Sequence, residues 1–561
     1  MNWVHQLFSQ SPNTALFLSL ALGYAVGKIK FGRFQLGGVG GSLLMAVIVS
    51  QFGVQIDDGV KSVMFALFIY AVGYNSGPQF FSSLNKSSLR EVALAVFLAV
   101  VSLITVVGLA KMFHLDKGLA AGLAAGGLTQ SAIIGTAGDA IARLPLPPEA
   151  IATLQANVAI GYAVTYVFGS LGAIIICAST LPRFMKQDLH QASLEQEAKL
   201  KGSGEARAPG VTPAMPSLIG RAFRVKEGAG HTPAELERAA SDSMTIERVL
   251  RGGQPLDLTT NPTLQPDDVV VVIGRRQQIV DVAPNIGPEV VDPQGPPLVM
   301  QSRQAVFTRK DMNRMTIAEV KAKLDPQMRH GVYIEAITRM GRPLPVLPET
   351  VVMHGDVITF YGADSDTARA VKAAGYPLEA NNKTDFVYMG LGIVVGLLIG
   401  LIVVRVGNVP LTLGAGGGAL LSGLLFGWMR AKQPMFGALP PAAGQLLQEF
   451  GLAAFVTVVG LNSGKQALGT IQQHGITIFV LGVVVTVLPL LLSMLFGRYV
   501  LRYDNAAIFA GALSGSRSAN PAFGAVLDKA ASNVPTVPFA ITYALANVLL
   551  TLLGPLVVGL V

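Results

Sequence analysis

The hydropathic pattern divides the chain into three parts. Two apolar blocks, residues 13–180 and 385–560, flank a polar block at 183–380. A helix that crosses a bilayer needs about 20 mostly apolar residues, so each apolar block holds five or six passages. In the first, passages are predicted near 13–29, 36–53, 62–83, 91–113 and 150–181, with a stretch of small residues at 118–142. In the second, they are predicted near 386–405, 411–429, 447–466, 474–498 and 535–558, with a similar stretch at 504–530.

Basic residues gather beside the apolar runs: Lys28, Lys30 and Arg33; Lys86 and Arg90; Arg183 and Lys186; Arg430 and Lys432; Arg498 and Arg502. Excess Lys and Arg marks cytoplasmic loops. On that rule the 118–142 stretch enters and leaves on the outer side as a re-entrant hairpin. Each block then carries five spans, both termini lie outside, and the middle block is cytoplasmic. No basic segment precedes the first apolar run and no Ala-x-Ala site follows it, so that run reads as a helix rather than a cleaved signal.

Composition narrows the class. Of 561 residues, 51% are hydrophobic and 14% charged, against about a quarter charged in a soluble domain. Mean hydropathy is +0.51. The 62 Gly and 32 Pro exceed what a plain helical bundle uses and fit broken, closely packed membrane helices. The net charge of +8 follows the positive-inside pattern, so nucleic acid is not an expected partner. The single Cys177 excludes an internal disulfide and a Cys-based metal site. His114, His330, His354 and His474 have no metal-ligand spacing, and no nucleophile–base pattern or phosphate-cradling loop is present. The expectation is a non-enzyme with no cofactor and no metal.

The two apolar blocks repeat one another. Leu36–Leu44 matches Leu413–Leu421, and Gly73-Tyr74-Asn75-Ser76-Gly77-Pro78-Gln79 matches Gly460-Leu461-Asn462-Ser463-Gly464-Lys465-Gln466. The small-residue stretches align at one constant offset: Gly122/Gly511, Gly126/Gly515, Thr129/Ser518, Ser131/Asn520, Gly135/Gly524 and Asp139/Asp528. Ile160–Ala163 matches Ile541–Ala544. Five spans per copy, with the linker on one side, require the copies to insert in opposite orientations, a signature of secondary transporters. The fold class expected is therefore α-helical and polytopic, with two inverted repeats of about five transmembrane helices plus a re-entrant hairpin each. The division is 1–182 and 381–561 for the repeats, 183–205 for a linker, and 206–292 and 293–380 for two small α/β domains.

Those α/β domains also look duplicated. Asp268–Gly274 matches Asp356–Gly362, a strand after an acidic turn that ends at Gly, and Gly287 matches Gly375 at the same offset. They resemble TrkA-C (RCK C-terminal) domains, which implies a dimerising or effector-sensing role.

Three groups of residues are candidates to bind a solute. The first is a pair of Gly-bracketed helix interruptions, with Asn75, Ser76, Asn462 and Ser463 between Gly73, Gly77, Gly460 and Gly464. They either satisfy freed backbone or contact a ligand; the alternative for such glycines is close helix packing. The second is the hairpin pair: Thr129, Gln130, Ser131, Ser514, Ser516, Ser518 and Asn520 offer hydroxyls and amides, and Gly126, Gly135, Gly515 and Gly524 let backbone approach a ligand. The third is Arg517, opposite Leu128 in the first copy. An intramembrane Arg is a functional hypothesis that suits a carboxylate; the alternative is an Arg whose stem snorkels to the membrane face. Lys465 lies near a predicted helix end, and Asp139 and Asp528 read as hairpin caps, with ion coupling as the other reading.

Two Gly-x-Asn-Ser-Gly membrane halves, a Gly-Leu-Thr-Gln-Ser hairpin and two TrkA-C-like units resemble the aspartate–alanine exchanger family over essentially the whole length. The resemblance implies a bacterial inner-membrane antiporter, a homodimer that takes aspartate in and releases alanine by alternating access. The same family includes exporters of other dicarboxylates such as succinate. A different class stays open beside it: a gated ion channel or cation transporter regulated by its TrkA-C-like domains. A sensor without flux is a remoter third.

Overall fold

In the computed structural model, residues 6–8, 10–31, 34–35, 37–83, 88–200, 218–240, 244–291, 299–339, 342–344, 346–378, 383–406, 409–412, 414–532 and 534–561 are described. The chain forms two compact units. One joins residues 1–206 to 382–431 and 436–561; the other comprises 207–381 and 432–435.

The larger unit is helical. Its first half contains α1 (Pro12–Gly27), α2 (Gly38–Ser50), α3 (Asp58–Ser83), α4 (Leu89–Met112), α5 (Lys117–Gly127), α6 (Ala132–Ile141) and α7 (Pro148–Ile175). Its second half contains α8 (Phe386–Gly400), α9 (Gly414–Lys432), α10 (Pro441–Tyr499), α11 (Ala506–Ser516), α12 (Asn520–Ala530), α13 (Thr536–Thr551) and α14 (Leu553–Leu560). A short antiparallel ribbon follows α1 and another follows α8. Among the described residues, five stretches are long and apolar enough to cross a membrane: Leu89–Met112, Pro148–Met185, Pro441–Asn462, Gly475–Tyr499 and Thr536–Leu560.

Two expectations fail here. The passages near 447–466 and 474–498 are not separated by a turn: both lie in α10, 59 residues of unbroken helix. At 1.5 Å per residue that is about 88 Å, far beyond a hydrocarbon core of about 30 Å. Polar residues around Gln472 and Gln473 end the apolar run, but Gln is a good helix former, so polarity there does not end the helix.

The second failure concerns the interruptions at Gly73–Gln79 and Gly460–Gln466, which are continuous helix within α3 and α10. Their glycines serve helix packing. A methyl group on Gly73 would lie 2.4 Å from the Leu420 carbonyl, and one on Gly77 2.3 Å from that of Leu424. One on Gly464 would lie 2.2 Å from Ser50 Oγ. The contacts are reciprocal: α3 packs on α9 of the other half, and α10 packs on α2. Pro78 leaves the Tyr74 carbonyl without its helical donor, and Gly427 of α9 closes over that carbonyl, where a methyl would sit at 2.0 Å.

The smaller unit holds two five-stranded antiparallel sheets. The first contains β1 (Leu218–Arg224), β2 (Met244–Arg251), β3 (Gln254–Pro255), β4 (Val269–Arg275) and β5 (Glu289–Val290). The second contains β6 (Met300–Phe307), β7 (Tyr333–Arg339), β8 (Arg342–Leu344), β9 (Val357–Ala363) and β10 (Gly375–Leu378). The orders are β3-β2-β4-β1-β5 and β8-β7-β9-β6-β10, one topology twice. In each, a buried Asp before the central strand takes a bidentate Arg. Arg251 donates to Asp268 at 2.9 and 2.8 Å, and Arg339 to Asp356 at 2.7 and 2.8 Å. Gly287 and Gly375 share φ values of 144° and 142°, a region only glycine enters freely.

Candidate functional site

Each small-residue stretch folds as a helical hairpin, α5–α6 and α11–α12. Asp116 caps α5 by accepting from the Leu119 amide, and Asn505 caps α11 by accepting from Ala507 and Ile508. At both tips a residue in left-handed backbone conformation reverses the chain: Thr129 has φ 55° and Ser518 φ 52°. Left-handed backbone is strained for these residues, and the two lie at equivalent positions.

The hairpins open at opposite ends of α7. At its start, Gln155 donates to the Gly138 carbonyl at 3.0 Å, and a methyl on Gly118 would meet the Leu154 carbonyl at 2.1 Å. Beyond its end, Lys529 donates to the Ala178 carbonyl at 2.9 Å, and Gln187 accepts from the Ala506 amide at 2.8 Å. The helix α7 covers about 42 Å. The pair α13 and α14 runs the other way: Gly511 packs on Pro535 at its start, and Lys117 reaches the Val558 carbonyl near its end. Gly126 abuts Tyr162 and Thr165, and Gly515 abuts Phe539 and Thr542. That spacing pairs Tyr166 with Tyr543, one helical turn away from the sequence alignment of Tyr162 with Tyr543.

The tips meet between the two helices, and Arg517 is the joint. It is 1% exposed. Its guanidinium donates to the carbonyls of Gly127 in the first hairpin, Gly169 in α7 at 3.2 Å and Thr486 in α10 at 3.0 Å. Thr486 Oγ1 donates to the same Gly127 carbonyl at 2.9 Å. Arg517 Nε is buried with no protein partner, and no carboxylate pairs with Arg517 among the described residues. A guanidinium solvated by carbonyl dipoles alone keeps its full positive charge, so the place where the hairpins meet is cationic.

Other predicted residues collect nearby. Gln130, 7% exposed, donates to Asn547 Oδ1 at 3.4 Å. Ser131 shares a hydrogen bond of 2.9 Å with Tyr162, and Asn520 donates to Tyr543 at 3.3 Å. Ser518 Oγ is buried without a partner, whereas Thr129 Oγ1 donates to the Leu128 carbonyl. Ser514 and Ser516 donate into their own helix.

Others lie elsewhere. Asn462 brackets Ile56, accepting from its amide at 2.8 Å and donating to its carbonyl at 2.9 Å. Asn75 is exposed beside Gly444, and Ser76 is buried in α3. The side chains of Ser463 and Lys465 lie outside the described residues. Gly135 packs on the Phe65 ring, and Gly524 faces open space. Asp139 does not cap its own hairpin: its Oδ2 accepts from the Gly416 amide at the start of α9. Asp528 is exposed.

Sequence reasoning missed Asn547 and Thr486. Asn547 is 5% exposed, and its Nδ2 has no protein partner. An amide within the apolar run 536–560 was the available signal. Three buried donors, Arg517 Nε, Ser518 Oγ and Asn547 Nδ2, are thus left unmatched around the hairpin tips. Unmatched donors in a dry interior cost about 1–3 kcal/mol each, which an anionic acceptor would relieve.

A family described as a predicted permease membrane region, Asp-Al_Ex, matches residues 15–182 and 388–559. An uncharacterized transporter of Zymomonas mobilis is 50% identical over 560 residues, covering 100% of this chain and 99% of its own. One of Francisella tularensis is 38% identical over 98% of this chain and 97% of its own. One of Bradyrhizobium diazoefficiens is 36% identical over 100% of this chain and 99% of its own.

Proposed function

We propose, from the premise that this chain belongs to the Asp-Al_Ex family of predicted permeases, that it is a secondary antiporter of small carboxylates, with aspartate taken in and alanine released. The observation that carries the reading is the cationic joint: Arg517 of the second hairpin, held by carbonyls of the first hairpin and of two long helices, with no acidic residue to neutralise it among the described residues. A carboxylate brought there accepts from donors already fixed in place. Part of its desolvation cost is met by groups that otherwise lack partners.

The opposed hairpins support alternating access. A solute held between tips that open toward opposite ends of α7 is reached from one side when one hairpin withdraws, and from the other side when its counterpart does. The membrane is the bacterial inner membrane in this reading, with the sheet-bearing unit cytoplasmic and the N-terminus outside.

Counterflow in proteoliposomes tests the substrate. Vesicles loaded with unlabelled alanine should accumulate labelled aspartate, and loading with succinate or with no solute sets the comparison. Uptake driven by succinate but not by alanine would replace the pair with dicarboxylate exchange. Ion flux without solute exchange would refute the antiporter.

A further inference from the structure

We propose that the far end of α7 and the second hairpin together form a binding site for a phosphate-bearing anion, separate from the hairpin tips. The regular helix stops at Ile175, and a wider π turn, Ile176–Thr180, joins it to a short helix, Leu181–Met185. Turns of this kind often mark functional positions. Lys529, near the end of α12, reaches into the turn, donating to the Ala178 carbonyl and to Ser179 Oγ at 2.9 Å each. Lys186 then takes a left-handed conformation, φ 53°, which bends the chain back around the same space.

A pocket of about 470 Å³ results, with Arg183, Lys186 and Lys529 on its walls, together with Ser179, Gln187 and Asp188. Three cations face one carboxylate. Asp188 is partly committed elsewhere, since its Oδ1 accepts from the His190 and Gln191 amides. Arg183 and Lys186 form no ion pair among the described residues. Excess positive charge at a concave site, with a hydroxyl and an amide beside it, matches the several oxygens of a phosphate group. Arg183 and Lys186 come from the first half and Lys529 from the second, so a bound anion ties the second hairpin to the end of α7. Basic pockets among membrane helices hold lipid headgroups in this manner; a soluble phosphate offers the same chemistry.

The test uses the full chain. In nanodiscs of phosphatidylcholine with or without phosphatidylglycerol, native mass spectrometry reads retained anionic lipid. In uncharged detergent, thermal unfolding with and without inorganic phosphate reads the soluble anion. Wild type should retain phosphatidylglycerol, be stabilised by phosphate, or both. The Arg183→Gln/Lys186→Gln double variant should weaken the response at least about tenfold, as expected when two charge-assisted contacts are lost, while Lys186→Arg retains it. Retention of the lipid alone identifies a headgroup site, and a shift with phosphate alone identifies a soluble ligand. Neither response in the wild type, or equal responses in wild type and double variant, overturns the proposal.

Discussion

The guanidinium of Arg517 donates to the main-chain carbonyl of Gly127, so one side chain of the second hairpin closes on the tip of the first. Under the proposed function, a structural tie and a solute-binding charge are the same group. Lys keeps the charge but loses the planar fork. Arg517→Lys should therefore fold yet lower carboxylate counterflow by at least about tenfold, the equivalent of one charge-assisted hydrogen bond. Arg517→Met should both abolish exchange and lower the melting temperature, because the guanidinium that joins the Gly127, Gly169 and Thr486 carbonyls is lost. Full exchange by Arg517→Met would remove the residue from the site.

The glycines of the hairpins separate into two kinds. A methyl on Gly126 would stand 2.1 Å from Thr165 Oγ1, and one on Gly515 2.1 Å from Thr542 Oγ1, whereas one on Gly524 meets nothing within 4 Å. Gly126→Ala and Gly515→Ala should each destabilise by about 1–3 kcal/mol through overpacking. Gly524→Ala, on an open helical face, should stabilise by about 0.5–1 kcal/mol. Thermal unfolding of the three variants checks the order; a Gly126→Ala protein as stable as Gly524→Ala would contradict the packing.

The constant offset from Gly122/Gly511 to Asp139/Asp528 was legible because small residues leave a periodic trace, and it led directly to the two hairpin turns. The Asp268/Asp356 and Gly287/Gly375 pairs were legible for the same reason. The Asn-Ser-Gly segments misled, since glycine that breaks a helix and glycine that admits a neighbouring helix look alike in one dimension. Gly73 and Gly77 are of the second kind, and only the position of α9 reveals it. The partners of Arg517 were invisible for a deeper reason: main-chain carbonyls carry no residue identity.

Asn547 offers an amide nitrogen without a protein partner, 5% exposed, while its oxygen accepts from Gln130. An anionic solute that accepts from this nitrogen should bind more weakly without it. Asn547→Leu, close in size, is expected to raise the half-saturating aspartate concentration about fivefold or more with a smaller change in maximal rate, the loss of one buried hydrogen bond. Asn547→Asp adds a negative charge beside the cationic joint and should suppress uptake further. Kinetics indistinguishable from wild type in both variants would place the residue outside the site.

In the sheet-bearing unit, acid–base groups from both of its α/β halves converge. Glu237 and Glu247 come from the first half; His330, Asp366 and Arg369 come from the second. Arg369 pairs with Asp366 at 2.7 Å and donates to the His330 carbonyl at 2.7 Å. Burial, and then the neighbouring Asp366 carboxylate, push the Glu247 carboxyl up to about 8. The Glu237 hydrogen bond, at 3.2 Å, raises the His330 imidazole above its usual value. Both shifts favour the protonated form in the folded state, so both act in one direction. Glu247 contributes fully below its ordinary value of 4.5, and its contribution is lost as pH rises toward about 8. His330 loses its own above the usual 6.5. The melting temperature of the full chain should accordingly fall between about pH 5 and pH 9. Glu247→Gln, which supplies a neutral side chain at every pH, should flatten the lower part of that slope and leave the part due to His330. Identical slopes for variant and wild type would mean that Glu247 is ionised throughout, and the convergence of these groups would then have no hold on stability.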